Sequence, residues 1–391
     1  MYDEAERERE NRALKQLLYK NVVTIGGGTG PFALLSNLKR YPCTITAIVT
    51  MSDSGGSSRR LMDEFGQLPL GDLRQALVAL SRKGTLWREV FAFRFRQGQG
   101  IRQSPDGADA PGNGPSDSQA QRLARQAGVS GHSLGNLIIS ALQDINDGDL
   151  LRAIEDAQEL LDTAGNVLPV TLSQSTLCAE LEDGEVICGE TDIDTRGEQH
   201  PGPLAPIKRV FLREDPEACA DALKAIRRAD VIVLGPGDLY TSILPNLLVK
   251  GIAEAIHASE ARTVYVCNLM TKHGETDGYR ASDFVRRIHE YLGDRVDRVI
   301  LHDGSFPEHL VDDYAAKAQR PVEADAPVIQ RLVPEVIVEP LLAVHGETLV
   351  RHDAARLVSA IFAPPARFSL EGMLPGSHVA EGAVAPRKAF R

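Results

Sequence analysis

A β-branched run at residues 21–25 stops at Gly26-Gly27-Gly28-Thr29-Gly30, after which apolar side chains return at helical spacing at Phe32, Leu34, Leu35 and Leu38. That order, strand then glycine turn then helix, restricts the chain to folds in which a strand feeds directly into a crossover helix. The pattern repeats. Residues 44–51, 231–234, 263–267 and 298–301 are further apolar runs, and helical patterns at 217–228, 245–257 and 281–292 separate the later ones. Runs that are apolar on nearly every residue are those of strands covered by helices on both faces. The alternation predicts an α/β fold with a doubly wound, mostly parallel, Rossmann-like sheet. In such sheets ligands sit outside the carboxyl ends of the strands.

Other segments break the rhythm. Residues 167–212 read as a small antiparallel β subdomain, because 176–181 and 185–190 flank Asp183-Gly184, a hairpin signal. Residues 98–118 are rich in Gly, Pro, Ser and Asp and read as a mobile insertion. The first 20 residues are crowded with Glu and Arg and read as a solvated helix, with no apolar core of a secretory signal. The nucleotide-binding domain is thus expected over 21–320, with 321–391 as a C-terminal extension that turns Pro/Gly-rich after 363.

The balance of charge narrows the function. A formal net charge of -11 opposes attraction to nucleic acid or to an anionic membrane surface. Asp, Arg or Gly interrupts every long apolar run, so no membrane span is expected. Cys43, Cys178, Cys188, Cys219 and Cys267 have no Cys-x-x-Cys spacing, which suggests neither a zinc cage nor a disulfide framework and fits a reducing cytoplasm. A homo-oligomer is compatible with the sequence.

Two glycine loops carry the chemistry. Gly26, Gly27, Gly28, Thr29 and Gly30 lie where main-chain N–H groups and a helix dipole can hold an anion, without the last glycine of a dinucleotide fingerprint or the lysine of a P-loop. Gly235, Pro236, Gly237 and Asp238, with the hydroxyls of Thr241 and Ser242, repeat that geometry after the run at 231–234. Asp53, after the second strand and ahead of Gly55, Gly56, Ser57 and Ser58, is placed to bond ribose hydroxyls or to hold Mg²⁺ against a phosphate. Asp72 and Arg74 open a helix, His132 and Asn136 flank the start of another at 134–145, and Asn268 follows a strand; each is a candidate sugar, base or second-ligand contact or a local cap. Gly131-His132-Ser133-Leu134-Gly135 matches the Gly-x-Ser-x-Gly elbow of serine hydrolases. That elbow needs a strand directly before it, whereas 124–128 read as a helix end.

Together these motifs, from about residue 21 to 301, resemble the YvcK family of gluconeogenesis factors within the CofD-like group, named for 2-phospho-L-lactate transferase. The resemblance implies a CofD-like fold, a bound nucleotide or UDP-sugar, and a role joining carbon metabolism to cell-wall supply and cell shape. In the transferase branch the matching loops hold a nucleotide's phosphates and an acceptor, with metal assistance. Two departures stand out: Ser54 replaces the second of the family's paired aspartates, and Asp238 stands where serine is usual. A non-catalytic nucleotide-sugar sensor is therefore the leading expectation, with no catalytic residue and no certain cofactor. A metal-assisted transferase of a phosphorylated group is the alternative.

Overall fold

The computed structural model describes residues 18, 20–27, 30–52, 68–83, 85–95, 131–200, 202–346 and 348–364. The solvated helix expected at 1–20, apart from residues 18 and 20, the insertion 98–118 and the tail after 364 lie outside them. So do Gly28, Thr29, Asp53, Gly55, Gly56, Ser57 and Ser58.

Seven parallel strands form the central sheet, as the alternation predicts. They are β1 (Asn21–Gly26), β2 (Thr44–Val49), β3 (Asn166–Pro169), β7 (Val231–Leu234), β8 (Arg262–Val266), β9 (Arg298–His302) and β10 (Glu335–Glu339). A second, antiparallel sheet holds β4 (Leu177–Leu181), β5 (Val186–Cys188) and β6 (Ile207–Leu212), and β11 (Leu342–His345) pairs with β12 (Leu349–His352).

The main sheet runs β10-β9-β8-β7-β1-β2-β3. The chain winds outward from β1 to β3, crosses back, and winds outward the other way from β7, so the order reverses between β1 and β7. That reversal opens a crevice at the carboxyl ends of these two strands. Their register is direct, with Val22 beside Val231 and Ile25 beside Leu234. Val22, Val23, Ile25, Ile232, Val233 and Leu234 are all buried, the burial that helices on both faces impose.

Three expectations need correction. Residues 166–169 belong to the edge of the parallel sheet, next to β2, and not to the antiparallel subdomain, which begins at β4. The sheet does not end near residue 320: β10 pairs in parallel with β9, and the β11–β12 hairpin and the helix Ala354–Ile361 fold back toward the helix Gly30–Leu38. Arg298 secures this return. Its buried guanidinium donates to Glu335 Oε2 at 2.8 Å and to the carbonyls of Ala360 and Ile361 at 3.2 and 2.7 Å, satisfying carbonyls that a helix end leaves open. Finally, Cys178 and Cys188 form a disulfide across β4 and β5. Spacing rules overlooked it because the pairing is set by hairpin register.

The helical pattern at 245–257 is realised as two helices, Leu244–Leu247 and Ile252–Ala258. No helix among the described residues is long and apolar enough to cross a membrane.

Candidate functional site

Because β1 and β7 are neighbours and point the same way, the glycine loops that follow them emerge side by side. The loops touch. A Cβ on Gly30 would collide with the Pro236 carbonyl oxygen and come within 2.9 Å of Gly237 Cα, so only glycine permits this approach. On the other side of the first loop, a Cβ on Gly27 would collide with the Asp72 carboxylate and lie 2.5 Å from Thr50 Cγ2. Asn268, just beyond β8, holds the second loop by donating its amide to the Gly237 carbonyl at 3.0 Å.

The two loops form one wall of a cavity of about 210 Å³. Among the residues singled out from sequence, Gly27, Gly30, Pro236, Gly237, Asp238, Ser242 and Asn268 line it. Gly26 and Gly235 lie behind them at the strand ends, where the Gly235 N–H donates to the Ile25 carbonyl at 2.9 Å. Thr241 is buried and reaches Asp194 Oδ1 at 3.4 Å.

Asp72, Arg74, His132 and Asn136 do not line this cavity. Asp72 sits in the first turn of the helix Gly71–Leu80, against Gly27. Arg74 Nε donates to Asn136 Oδ1 at 3.0 Å, knitting that helix to the helix Leu134–Ile145. Ser133 stands at the N-cap position of the latter helix, without a side-chain capping bond. It is buried, and its hydroxyl donates to the Phe91 carbonyl at 3.3 Å, so it is not presented as a nucleophile.

Several lining residues were not singled out from sequence. Lys272 comes from the loop after β8, while Val350, Arg351 and His352 come from β12. The rule that ligands lie past strand ends covers Lys272, four residues beyond Asn268. Nothing comparable marked Arg351.

Electrostatics concentrate on the second loop. Lys272 Nζ ion-pairs with Asp194 Oδ1, with Asp238 Oδ2 at 2.9 Å and with Glu275 Oε1 at 3.0 Å. Burial works against this ammonium, but the charges of Glu275, Asp238 and Asp194 outweigh it and hold Lys272 well above the ordinary lysine range. The Asp238 charge that looked out of place beside a phosphate loop is therefore paired, on an ammonium that it shares with Asp194 and Glu275. Burial pushes the Glu275 carboxyl up to about 8, with Lys272 opposing the rise. The buried His352 imidazole is pushed down to about 4, again by burial, and its Nε2 meets the Cys267 carbonyl at 3.1 Å, so Nε2 carries the proton of the neutral ring.

A cavity lined by glycine main chain, one fixed ammonium and one guanidinium suits an anion. Comparison with known proteins gives the arrangement a lineage. The family model of 2-phospho-L-lactate transferase CofD matches residues 22–342. The gluconeogenesis factor of Halalkalibacterium halodurans is 40% identical over 344 residues, which are 88% of this chain and 95% of that one. That of Bacillus subtilis is 36% identical over 342 residues, 87% of this chain and 96% of the relative. The crystal structure of protein BH3568 from Bacillus halodurans superposes with a TM-score of 0.76 at 40% identity, covering 88% of this chain and 99% of that one. The family match reaches past residue 320 and takes in β10, in keeping with the continuous sheet. The chain belongs to the gluconeogenesis factors of the CofD family.

Proposed function

We propose that this gluconeogenesis factor is a cytoplasmic regulator that binds a nucleotide sugar of the UDP-sugar class without turning it over, linking carbon metabolism to cell-wall supply and cell shape. The observation that carries the reading is the convergence of two glycine loops, from adjacent strands at the reversal of sheet order, on one cavity that also receives Lys272 and Arg351. A diphosphate is the group that supports this reading, since glycine loops at strand ends offer main-chain amides to its oxygens and Arg351 brings a guanidinium to its charge, with Lys272 beside it. At about 210 Å³ the cavity is below the ~300 Å³ usual for a whole drug-sized ligand. It takes the diphosphate, and the base and sugar extend past it.

The family model's name supports a second reading, a transferase of a phosphorylated group. One experiment separates them. Pure protein is titrated with UDP, UDP-N-acetylglucosamine, GDP and GTP by calorimetry with Mg²⁺ present, and the same mixtures are followed by phosphorus NMR. Saturable binding with unchanged ligand is the expected result. Absence of binding to every nucleotide removes the reading, and release of UMP from UDP-N-acetylglucosamine when an alcohol is added, with the phosphorylated sugar carried to the alcohol oxygen, replaces it with the transferase.

A further inference from the structure

Three acids from separate segments meet on one lysine beside the second loop. Asp194 ends the helix Glu190–Asp194, Asp238 follows Gly237, and Glu275 lies in the turn after β8. One carboxylate oxygen from each lies within 4.8 Å of the others, the spacing of ligands around a cation. The Lys272 ammonium fills the space between them.

Glu275 shows that this is a place built for positive charge. Its side chain is 1% exposed, and apart from the Lys272 ammonium, 3.0 Å from Oε1, neither carboxyl oxygen has a hydrogen-bond partner among the described residues. Lys272 is its ion-pair partner. A buried carboxylate without hydrogen bonds is costly unless a cation faces it. The turn supplies that cation from three residues away: the Glu275 and Thr276 N–H groups donate to the Lys272 carbonyl at 3.1 and 2.9 Å, and the Lys272 N–H donates to Thr276 Oγ1 at 2.9 Å. Mg²⁺ does not fit while Lys272 is there, because the ammonium lies between the carboxylate oxygens and repels a second cation.

We propose that Lys272 is a tethered cation seated in a divalent-metal cage of Asp194, Asp238 and Glu275, and that its ammonium faces the ligand's phosphate in place of a metal ion. Lys272 and Asp238 both line the cavity; the three N–H groups of the ammonium are held by Asp194, Asp238 and Glu275, so a phosphate that reaches it displaces the Asp238 carboxylate. The phosphate contact rests on the nucleotide reading above; the cage does not.

The full-length protein tests both. Mn²⁺ is titrated into wild type, Lys272→Met and Lys272→Met/Glu275→Gln, with free ion counted by electron paramagnetic resonance. Lys272→Met is expected to bind one more Mn²⁺ than wild type, and the double variant is expected to lose it. In parallel, Lys272→Met should melt at lower temperature in EDTA and recover with Mn²⁺. If it does not fold in EDTA, Lys272→Gln carries the same titration. An unchanged Mn²⁺ count without Lys272 overturns the cage, as does a wild-type ion that Glu275→Gln alone removes. UDP titrated in EDTA reads the phosphate contact: a loss of about ten- to a hundredfold in Lys272→Met is expected for a charge-assisted bond. Mn²⁺ should restore more affinity to that variant than it adds to wild type. Equal UDP affinity with and without Lys272 overturns the contact and leaves the cage standing, whereas no UDP binding by wild type indicts the nucleotide reading alone.

Discussion

The loop after β1 and the loop after β7 leave neighbouring strands in the same direction, yet they keep their shapes by different means. The first is fixed by exclusion: Gly27 is pressed against Asp72 and Thr50, and Gly30 against Pro236 and Gly237. The second is fixed by polar bonds, from Asn268 to the Gly237 carbonyl and from Lys272 to Asp238. One loop thus supplies close main-chain approach, and the other brings charge. Steric limits fail abruptly when a methyl group is added, whereas electrostatic ones fail by degrees and respond to salt and pH.

The sharpest way to break this division is Gly30→Val. Its side chain would wedge the loops apart, and UDP affinity should fall by about 100-fold or more, with a loss of ~1–3 kcal/mol in stability from overpacking. Calorimetry and urea unfolding measure the two. Retained affinity would show that the loops need not touch.

Acid probes the opposite wall. The folded-state pKa of His352, about 4, lies below the 6.5 of an exposed imidazole, so the unfolded chain takes up this proton first as pH falls. Its contribution is complete above about pH 6.5 and is lost on the way down to about pH 4, on the order of 3 kcal/mol. Urea unfolding at a series of pH values should show that loss in wild type, and His352→Gln should flatten the slope across this window. Parallel slopes would place the acid sensitivity elsewhere.

Arg351→Ala removes charge without disturbing either loop, and should weaken UDP binding about tenfold at low salt, less as salt rises. A salt-independent loss would mean that packing of the Arg351 stem matters more than its charge. Gly237→Ala sharpens the contrast between the loops, since its Cβ would meet Ser242 Cβ at 3.2 Å, a tight but yielding contact. A few-fold loss is expected, far short of Gly30→Val. Smallest of all is Ser133→Ala, for which UDP affinity should stay unchanged and a fluorophosphonate probe should label neither protein. Labelling that depends on Ser133 would restore the hydrolase elbow.

Strands buried on both faces were the legible part of the fold, because β1, β2, β7, β8 and β9 are β-branched runs with few charged interruptions. β3 is four residues ending in Pro169, and β10 has a glutamate at each end and partly exposed positions between, so neither carries that pattern. The disulfide was not within reach of the hairpin signal. A two-residue turn at Asp183-Gly184 would set Cys178 opposite Gly189, whereas the loop spans three residues, 182–184, closed by the Leu181 N–H on the Glu185 carbonyl, and this register pairs Glu180 with Val186, Ala179 with Ile187 and Cys178 with Cys188. At the site, glycines and Asn268 announce themselves by following strands. Lys272 does not, because a lysine in a loop is usually solvated, and the folding of Asp194 and Asp238 against it from distant segments gives it a role. Arg351 was hidden by its setting in a region read as an appendage.

The return of β12 to the central cavity orders events in time. Residues 26 to 30 leave the ribosome more than 300 positions before Arg351 and His352, which complete the wall they face. Six strands of the main sheet can pair before β10 emerges, but a nascent chain that has reached only that stage has an open half-pocket. On the proposed nucleotide reading, a ligand that needs both walls stabilises only the finished chain, so cells short of it should accumulate folded protein whose C-terminal hairpin is the first part open to proteases.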